Sequence, residues 1–173
     1  MDEKRVAREV AMFMILSART APKARGIDHL KTAILTGQEK DRLAGEMEKL
    51  SSEYGFFERD AKNVRSAEVV LLIGLSAAPI GLNCGACGRT CTELQGESSK
   101  EGKGYRGPLC VMDIMNFGIA LGSAVKTASM FNVDNRMMFS AGVAARKSGI
   151  MDADVVIGIP LSIKGKNIFF DRK

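Results

Sequence analysis

The four cysteines are the residues of this chain with the most specific chemistry. Three lie within eight residues of one another, and eighteen residues separate the third from the fourth. They are Cys84, Cys87, Cys91 and Cys110. Four thiolates suit a tetrahedral zinc ion or an iron–sulfur cluster. Zinc ribbons favour two Cys-x2-Cys pairs, whereas a triplet plus one remote cysteine favours a 4Fe–4S cluster. The spacing therefore predicts one metal centre, with iron–sulfur first and zinc as the alternative.

The backbone around the triplet must curl round a point, because three thiols so close together cannot share one face of a regular helix or strand. Gly81, Gly85 and Gly88 supply the unusual dihedral angles that such a loop requires. Cys110 is expected at the start of a long helix. Amide donors and the positive end of the helix dipole would stabilise a thiolate or an anionic cluster there.

Other interpretations of the cysteines stay open at the level of sequence. The thiols could be unligated and buried as small hydrophobic groups. Cys84 and Cys87 could instead form a dithiol redox switch. A metal centre could also be purely structural, because metal binding contributes directly to the free energy of folding.

Three basic residues follow the first predicted helix around a proline: Arg19, Lys23 and Arg25. They could bind an anionic group such as the phosphate of a flavin. Equally, they could complement the dipole at a helix end, where cations are favoured. The single histidine, His29, makes a Ser-His-Asp triad unattractive and is expected to be structural. No catalytic residue can be assigned from the sequence.

Composition narrows the class of protein. The chain of 173 residues fits one domain, 1–173, and its 46% hydrophobic residues can build a core. A net charge of +5 without a basic block, and only 6% aromatic residues, give no support for nucleic-acid binding. No apolar run is long enough for a membrane span or a signal peptide. We therefore expect a cytoplasmic protein, in which clustered cysteines are more often ligands than disulfides.

The hydrophobic pattern predicts an α+β fold. Val6, Val10 and Met14 mark one face of an amphipathic helix, and a continuous apolar run ending at Leu75 indicates a strand buried on both faces. Helices are expected at 3–20, from 37 onwards, at 111–131 and at 140–147, and strands at 29–35, 64–75, 153–159 and 167–170. The Cys-rich segment 76–110 is expected to be irregular and inserted before the long, mostly buried helix.

The chain resembles an uncharacterised prokaryotic family described as containing a ferredoxin domain. The matching segments are 18–28 (Ala-Arg-Thr-Ala-Pro-Lys-Ala-Arg-Gly-Ile-Asp), 84–88 (Cys-Gly-Ala-Cys-Gly), 134–136 (Asp-Asn-Arg), and parts of 158–172. The resemblance spans nearly the whole chain and implies iron–sulfur binding, with electron transfer or redox chemistry on an unknown substrate. If the protein is an enzyme, it implies an oxidoreductase, and a redox protein is a possible partner.

A second likeness concerns the order of elements, which is similar to that of flavin-dependent nitroreductases. It implies a homodimer in which the long central helix packs against its copy, with FMN at the interface. Gly118, Gly122, Ser123 and Ala124 would suit such packing. The chain has Lys23 where that family has Ser after Ala-Pro, and it lacks the Arg-rich opening segment. A flavin-dependent reductase and a zinc-stabilised, non-catalytic scaffold are thus the alternatives to an iron–sulfur protein.

Overall fold

The structure is a computed structural model that describes residues 2–170. Six α-helices lie in this range: α1 (Glu3–Thr20), α2 (Gly37–Lys49), α3 (Phe57–Ser66), α4 (Cys91–Gly96), α5 (Val111–Met130) and α6 (Phe139–Lys147). The strands are β1 (Leu30–Leu35), β2 (Val69–Leu75), β3 (Lys100–Glu101), β4 (Arg106–Gly107), β5 (Asp134–Asn135) and β6 (Val155–Ser162). A short 3-10 turn, Ala24–Gly26, follows α1.

Four strands form the central sheet in the order β1-β2-β6-β5, with every neighbouring pair antiparallel. β2 is the innermost long strand, and Leu72 pairs with Ala33 of β1 and with Gly158 of β6. The two-residue strands β3 and β4 form a separate hairpin within the Cys-rich segment. The central sheet therefore has only four strands. Helices pack against both of its faces.

Alternate side chains of β2 point into two different cores. Val69, Leu71 and Ile73 face α1 and α5, whereas Val70 and Leu72 face α2, α3 and α6. Because both faces are covered, all seven residues of β2 are buried, which explains the unbroken apolar run in the sequence. The α6 backbone lies so close to β6 that a Cβ on Gly142 would fall 1.8 Å from the carbonyl oxygen of Val156.

Several elements predicted from the sequence are confirmed. α1 has the predicted bounds, and β1, α2, α5 and α6 lie where the pattern placed them, to within a few residues at their ends. β2 ends at Leu75 as predicted. The last long strand, β6, runs three residues further than predicted. Its extension includes Pro160, which has no N–H to donate to a neighbouring strand.

Other predictions were wrong. Residues 64–66 close helix α3, which the sequence interpretation missed by joining Val64 to the following strand. Residues 167–170 form bends and no strand, and β5 occupies the sheet edge instead. Segment 76–110 contains α4 and the β3–β4 hairpin and is not wholly irregular. α5 is less buried than predicted, because Met115, Ile119 and Met130 are exposed on its outer face.

None of the helices within residues 2–170 combines the length and the apolarity needed to cross a bilayer.

Candidate metal centre

The loop that carries the first three cysteines departs from regular backbone at several positions. Asn83, Gly85 and Gly88 have φ values of 49°, 73° and 74°. A Cβ added to Gly85 or Gly88 would meet nothing within 4 Å, so these glycines serve the turn and not a close contact. Cys84 is exposed in this loop, while Cys87 and Cys91 are half-buried.

Cys91 opens the short helix α4 and is held there by Asn83. The Cys91 backbone N–H donates to Asn83 Oδ1 at 2.8 Å, and the Asn83 N–H donates to Cys91 Sγ at 3.3 Å. Thr90 and Glu93 add a capping box, in which each side chain accepts from the backbone N–H of the other. The geometry fixes Cys91 beside the residue that precedes Cys84.

Cys110 is the N-cap residue of α5 and is only 7% exposed. It forms a small apolar cluster with Ile80 and Leu94, and Cys87 and Met112 pack against that cluster. Two cysteines that are distant in sequence therefore contact one hydrophobic cluster, beside the first turn of α5. The predicted place of Cys110 at a helix start is confirmed.

The cysteines do not form a closed site for a single ion in this structure. Between residues 2 and 170, no three His, Cys, Asp or Glu side chains lie close enough to hold one metal ion. All four cysteines are free of disulfides. The structure packs Cys87 against the cluster that contains Cys110 and places Cys91 against Asn83, while Cys84 is exposed.

A buried carboxylate lies one helical turn beyond Cys110. Asp113 is 1% exposed, and its Oδ2 lies 2.8 Å from His29 Nδ1 and accepts from the Ala78 N–H at 3.1 Å. This side chain therefore connects α5 to the start of β1 and to the loop after β2. The two remote partners of Asp113 were not foreseen from the sequence.

Asn116 lies one turn further along α5 and is 4% exposed. Its Oδ1 accepts from the Ala24 N–H at 2.9 Å, which ties α5 to the turn after α1. Its Nδ2 is buried, and no group among residues 2–170 accepts a hydrogen bond from it. This unpaired donor was not foreseen from the sequence.

The three basic candidates are engaged within the chain. Lys23 Nζ donates to the carbonyl oxygens of Ala18, Arg19 and Ala21 at 2.8–3.0 Å. These are carbonyls at the end of α1, so Lys23 has the helix-end role that the sequence also allowed.

The guanidinium groups of Arg19 and Arg25 also bind elsewhere in the chain. Arg19 Nη1 donates to Asp28 Oδ2 at 3.0 Å and to the Leu30 carbonyl at 2.7 Å. Partial burial raises the pKa of Asp28, but hydrogen bonds from the Leu30 N–H and from Arg19 outweigh it, so the pKa lies below its ordinary value. Arg25 Nη1 donates to the Ile80 carbonyl at 3.0 Å and so holds the start of the Cys-rich segment.

A cavity of about 270 Å³ opens beside Cys110. It is lined mostly by residues after β2 and before α5, including Ala78, Pro79, Leu94 and Leu109. Its polar lining residues are Gln95, Glu97, Ser99 and Asp154. Cys110 is the one cysteine that lines it. A small molecule in this cavity would therefore lie against Cys110.

The residues present fit an iron–sulfur cluster by their chemistry. All four cysteines are free thiols around one segment, and Cys87 and Cys110 share an apolar cluster. The Asn83 N–H already donates to a cysteine sulfur, and a buried amide N–H of Asn116 has no acceptor among the described residues. Thiolate ligands, an apolar shell and N–H donors to sulfur are what such clusters require.

Comparison with known proteins places the chain in a family. Residues 106–172 match a family described as "uncharacterized protein containing a ferredoxin domain". An uncharacterized protein of Archaeoglobus fulgidus is 43% identical over 166 residues, which cover 94% of this chain and 89% of that protein. The chain belongs to the ferredoxin-domain family. The family match includes Cys110 and lies outside the segment that holds the other three cysteines.

Solved structures show that this member of the ferredoxin-domain family has a nitroreductase-like fold. An NADPH:FMN oxidoreductase from Vibrio harveyi aligns with a TM-score of 0.58 and 13% identity, covering 95% of this chain and 63% of that one. A BluB-like flavoprotein from Clostridium difficile gives 0.53 and 12%, covering 95% and 84%. Nitroreductase A from Vibrio parahaemolyticus gives 0.56 and 12%, covering 92% and 60%. Both resemblances seen in the sequence are thereby confirmed, the second for the fold alone.

Proposed function

We propose that the protein binds an iron–sulfur cluster through Cys84, Cys87, Cys91 and Cys110 and takes part in electron transfer. The observation that carries this proposal is the pairing of Cys87 and Cys110 on one apolar cluster within a ferredoxin-domain chain. A 4Fe–4S cluster is the type we favour, because it takes four cysteine ligands. The cluster would supply one-electron chemistry. The protein would bind the cluster, shield it and donate hydrogen bonds to its sulfur atoms.

The chain's own residues would tune such a centre in two ways. Ile80 and Leu94 pack against Cys110 and help to bury it. The Asn83 N–H donates to Cys91 Sγ and would provide one hydrogen bond to a sulfur of the bound centre. Burial and hydrogen bonds to sulfur are the terms by which a protein sets the potential of an iron–sulfur centre.

The proposal is tested by anaerobic purification followed by metal and sulfide analysis. We expect a brown protein with broad absorbance near 400 nm that dithionite bleaches, and iron and acid-labile sulfide in equal amounts. A colourless protein with one zinc per chain would instead support the zinc-stabilised scaffold. A metal-free protein whose thiols oxidise reversibly would support the dithiol switch. Four cysteines free of disulfides, three of them at least partly exposed, suit the reducing cytoplasm, where we place the protein.

A flavin-dependent reductase is the second candidate, favoured by the fold. Two of the aligned structures carry FMN or flavoprotein in their names. The basic residues that could hold a flavin phosphate make internal hydrogen bonds here, and Lys23 binds three carbonyl oxygens. A flavin would have to compete with these bonds. A yellow protein that releases FMN on denaturation would establish this candidate, with or without a cluster.

The fold likeness also leads us to propose a homodimer formed through α5. Met115 and Ile119 are 54% and 46% exposed on its outer face. Gly118 lies between these two residues in the sequence and Gly122 follows them. A Cβ added to either glycine would have no atom within 4 Å. On the neighbouring helix α1, Leu16 is 58% exposed. Exposed apolar side chains around small residues are typical of a surface on which a second helix packs.

A further inference from the structure

The unpaired carboxamide nitrogen of Asn116 requires an acceptor. Buried polar groups in folded proteins are nearly always hydrogen-bonded, so a buried donor without a partner needs an explanation. The orientation of the amide is fixed by its other end, since Oδ1 accepts from the Ala24 N–H at 2.9 Å. Exchanging oxygen and nitrogen would set two donors against each other. The unpaired atom is therefore Nδ2.

Asn116 lies at the edge of the apolar cluster that contains Cys110. Met112, four residues earlier on α5 and thus on the same side of the helix, packs against that cluster. Ala24, whose N–H binds Asn116, packs against it as well. Both neighbours that locate the carboxamide also border the site of Cys87 and Cys110.

We infer that Asn116 Nδ2 donates a hydrogen bond to a sulfur atom of the centre that the cysteines hold. This inference rests on the proposed function and assigns a residue to that site. None of residues 2–170 accepts a hydrogen bond from this N–H. An anionic sulfur of the bound centre would provide the missing acceptor. Asn116 is then a residue that binds the cofactor, and the Ala24 N–H orients it for that contact.

Such a hydrogen bond has a defined electrochemical consequence. An N–H donor stabilises the more negative, reduced form of an iron–sulfur centre and so raises its reduction potential. Removal of the donor therefore shifts the potential to more negative values. A residue needed only for folding would change stability and leave the potential in place.

The test compares wild type with Asn116→Leu, which keeps the approximate shape and removes the donor. Both proteins are labelled with asparagine that carries 15N only in the side-chain amide, because the backbone N–H of Asn83 also donates to Cys91 Sγ and must stay unlabelled. They are then purified anaerobically and reduced. We expect a 15N coupling to the reduced centre in pulsed EPR that disappears in Asn116→Leu, together with a more negative potential at equal iron content. Asn63→Leu, on α3 beyond the opposite face of the sheet, is the matched control and leaves both readouts unchanged.

The outcomes separate this inference from the proposal beneath it. Wild type without iron overturns both. Iron bound with the same coupling and potential in Asn116→Leu overturns the role of Asn116 alone. If Asn116→Leu fails to assemble, Asn116→Asp retains an acceptor for the Ala24 N–H and carries no labelled side-chain nitrogen. Persistence of the coupling in Asn116→Asp contradicts the inference, and its loss supports it.

Discussion

The backbone N–H of Asn83 donates to Cys91 Sγ at 3.3 Å, and the backbone N–H of Cys91 donates back to Asn83 Oδ1 at 2.8 Å. This reciprocal pair closes the loop that carries Cys84 and Cys87 onto the start of α4. It also requires Asn83 at a φ of 49°, a conformation that Asn tolerates better than most residues. One residue therefore sets both the backbone of the loop and the environment of one thiol.

Asn83→Gly is expected to weaken iron retention. Glycine accepts the positive φ, so the change mainly removes the oxygen that caps the Cys91 N–H. A lost cap costs about 1 kcal/mol, which corresponds to about fivefold faster loss of iron to a chelator. Asn83→Asp keeps the acceptor and serves as the control. Equal chelation rates in wild type and Asn83→Gly would show that the bond does not hold the loop.

Cys110→Ser should lower cluster occupancy and expose segment 84–110 to protease. Cys110 is the cysteine at the N-cap of α5, so its proposed ligation would join the loop to the central helix. Iron per chain and limited proteolysis, measured on anaerobic samples, check this expectation. Ser99→Ala, in the same segment, is the control. Unchanged iron content in Cys110→Ser would remove Cys110 from the ligand set.

Asp113→Ala is expected to destabilise the fold by about 3 kcal/mol, because it strands the Ala78 N–H and His29 Nδ1 in a buried site. Chemical denaturation monitored by circular dichroism measures the loss. Asp113→Asn keeps an oxygen acceptor and should lose only about 1 kcal/mol. If both variants were equally destabilised, the hydrogen bonds to Ala78 and His29 would not be the source of the stability.

The capping box of α4 should respond to acid. The Thr90 N–H and hydroxyl donate to Glu93 and hold the pKa of Glu93 below its ordinary value. A lowered folded-state pKa means that the cap is fully present above the unfolded value of about 4.3 and is lost as pH falls through the folded pKa. NMR titration of the Thr90 amide in the metal-free protein should show a midpoint below 4.3. The transition should be absent in Glu93→Gln.

Ile119→Lys should convert the proposed dimer into a monomer. The substitution places a charge in the centre of the exposed apolar face of α5, where a second copy would bury it. Light scattering after size exclusion should give twice the 18.7 kDa chain mass for wild type and the single mass for the variant. Phe56→Lys alters another exposed apolar residue, next to α3 on the opposite side of the sheet, and should stay dimeric. A monomeric wild type would contradict the proposal.

The sequence predicted the fold class well because its strongest patterns were unambiguous. β2 is apolar at every position, and α1 has a clear apolar face. α3 was missed although Phe57, Ala61 and Val64 recur at helical spacing, because four charged residues intervene and Val64 was joined to the next apolar run. The wrong strand at 167–170 rested on a few apolar residues, and Phe169 is buried without joining the sheet.

The candidate site could be predicted only in part. The cysteine spacing and the glycines are local signals, and the structure gives Gly85 and Gly88 the positive φ values expected of them. The roles of Asp113 and Asn116 depend on partners 84 and 92 residues away. A single sequence does not reveal such pairings. The direction of Arg25, towards the Ile80 carbonyl, depends in the same way on the folded loop.

Neither of the two large cores of the described chain contains a cysteine, and all four lie in or beside the segment that precedes α5. The order of biogenesis follows from this separation. The sheet and its helices can be completed with no inorganic component, so the chain that receives iron and sulfide would already be folded. Insertion of the cluster would then require only local rearrangement between Ile80 and Cys110. Loss of the cluster would leave a folded protein that can bind a new one.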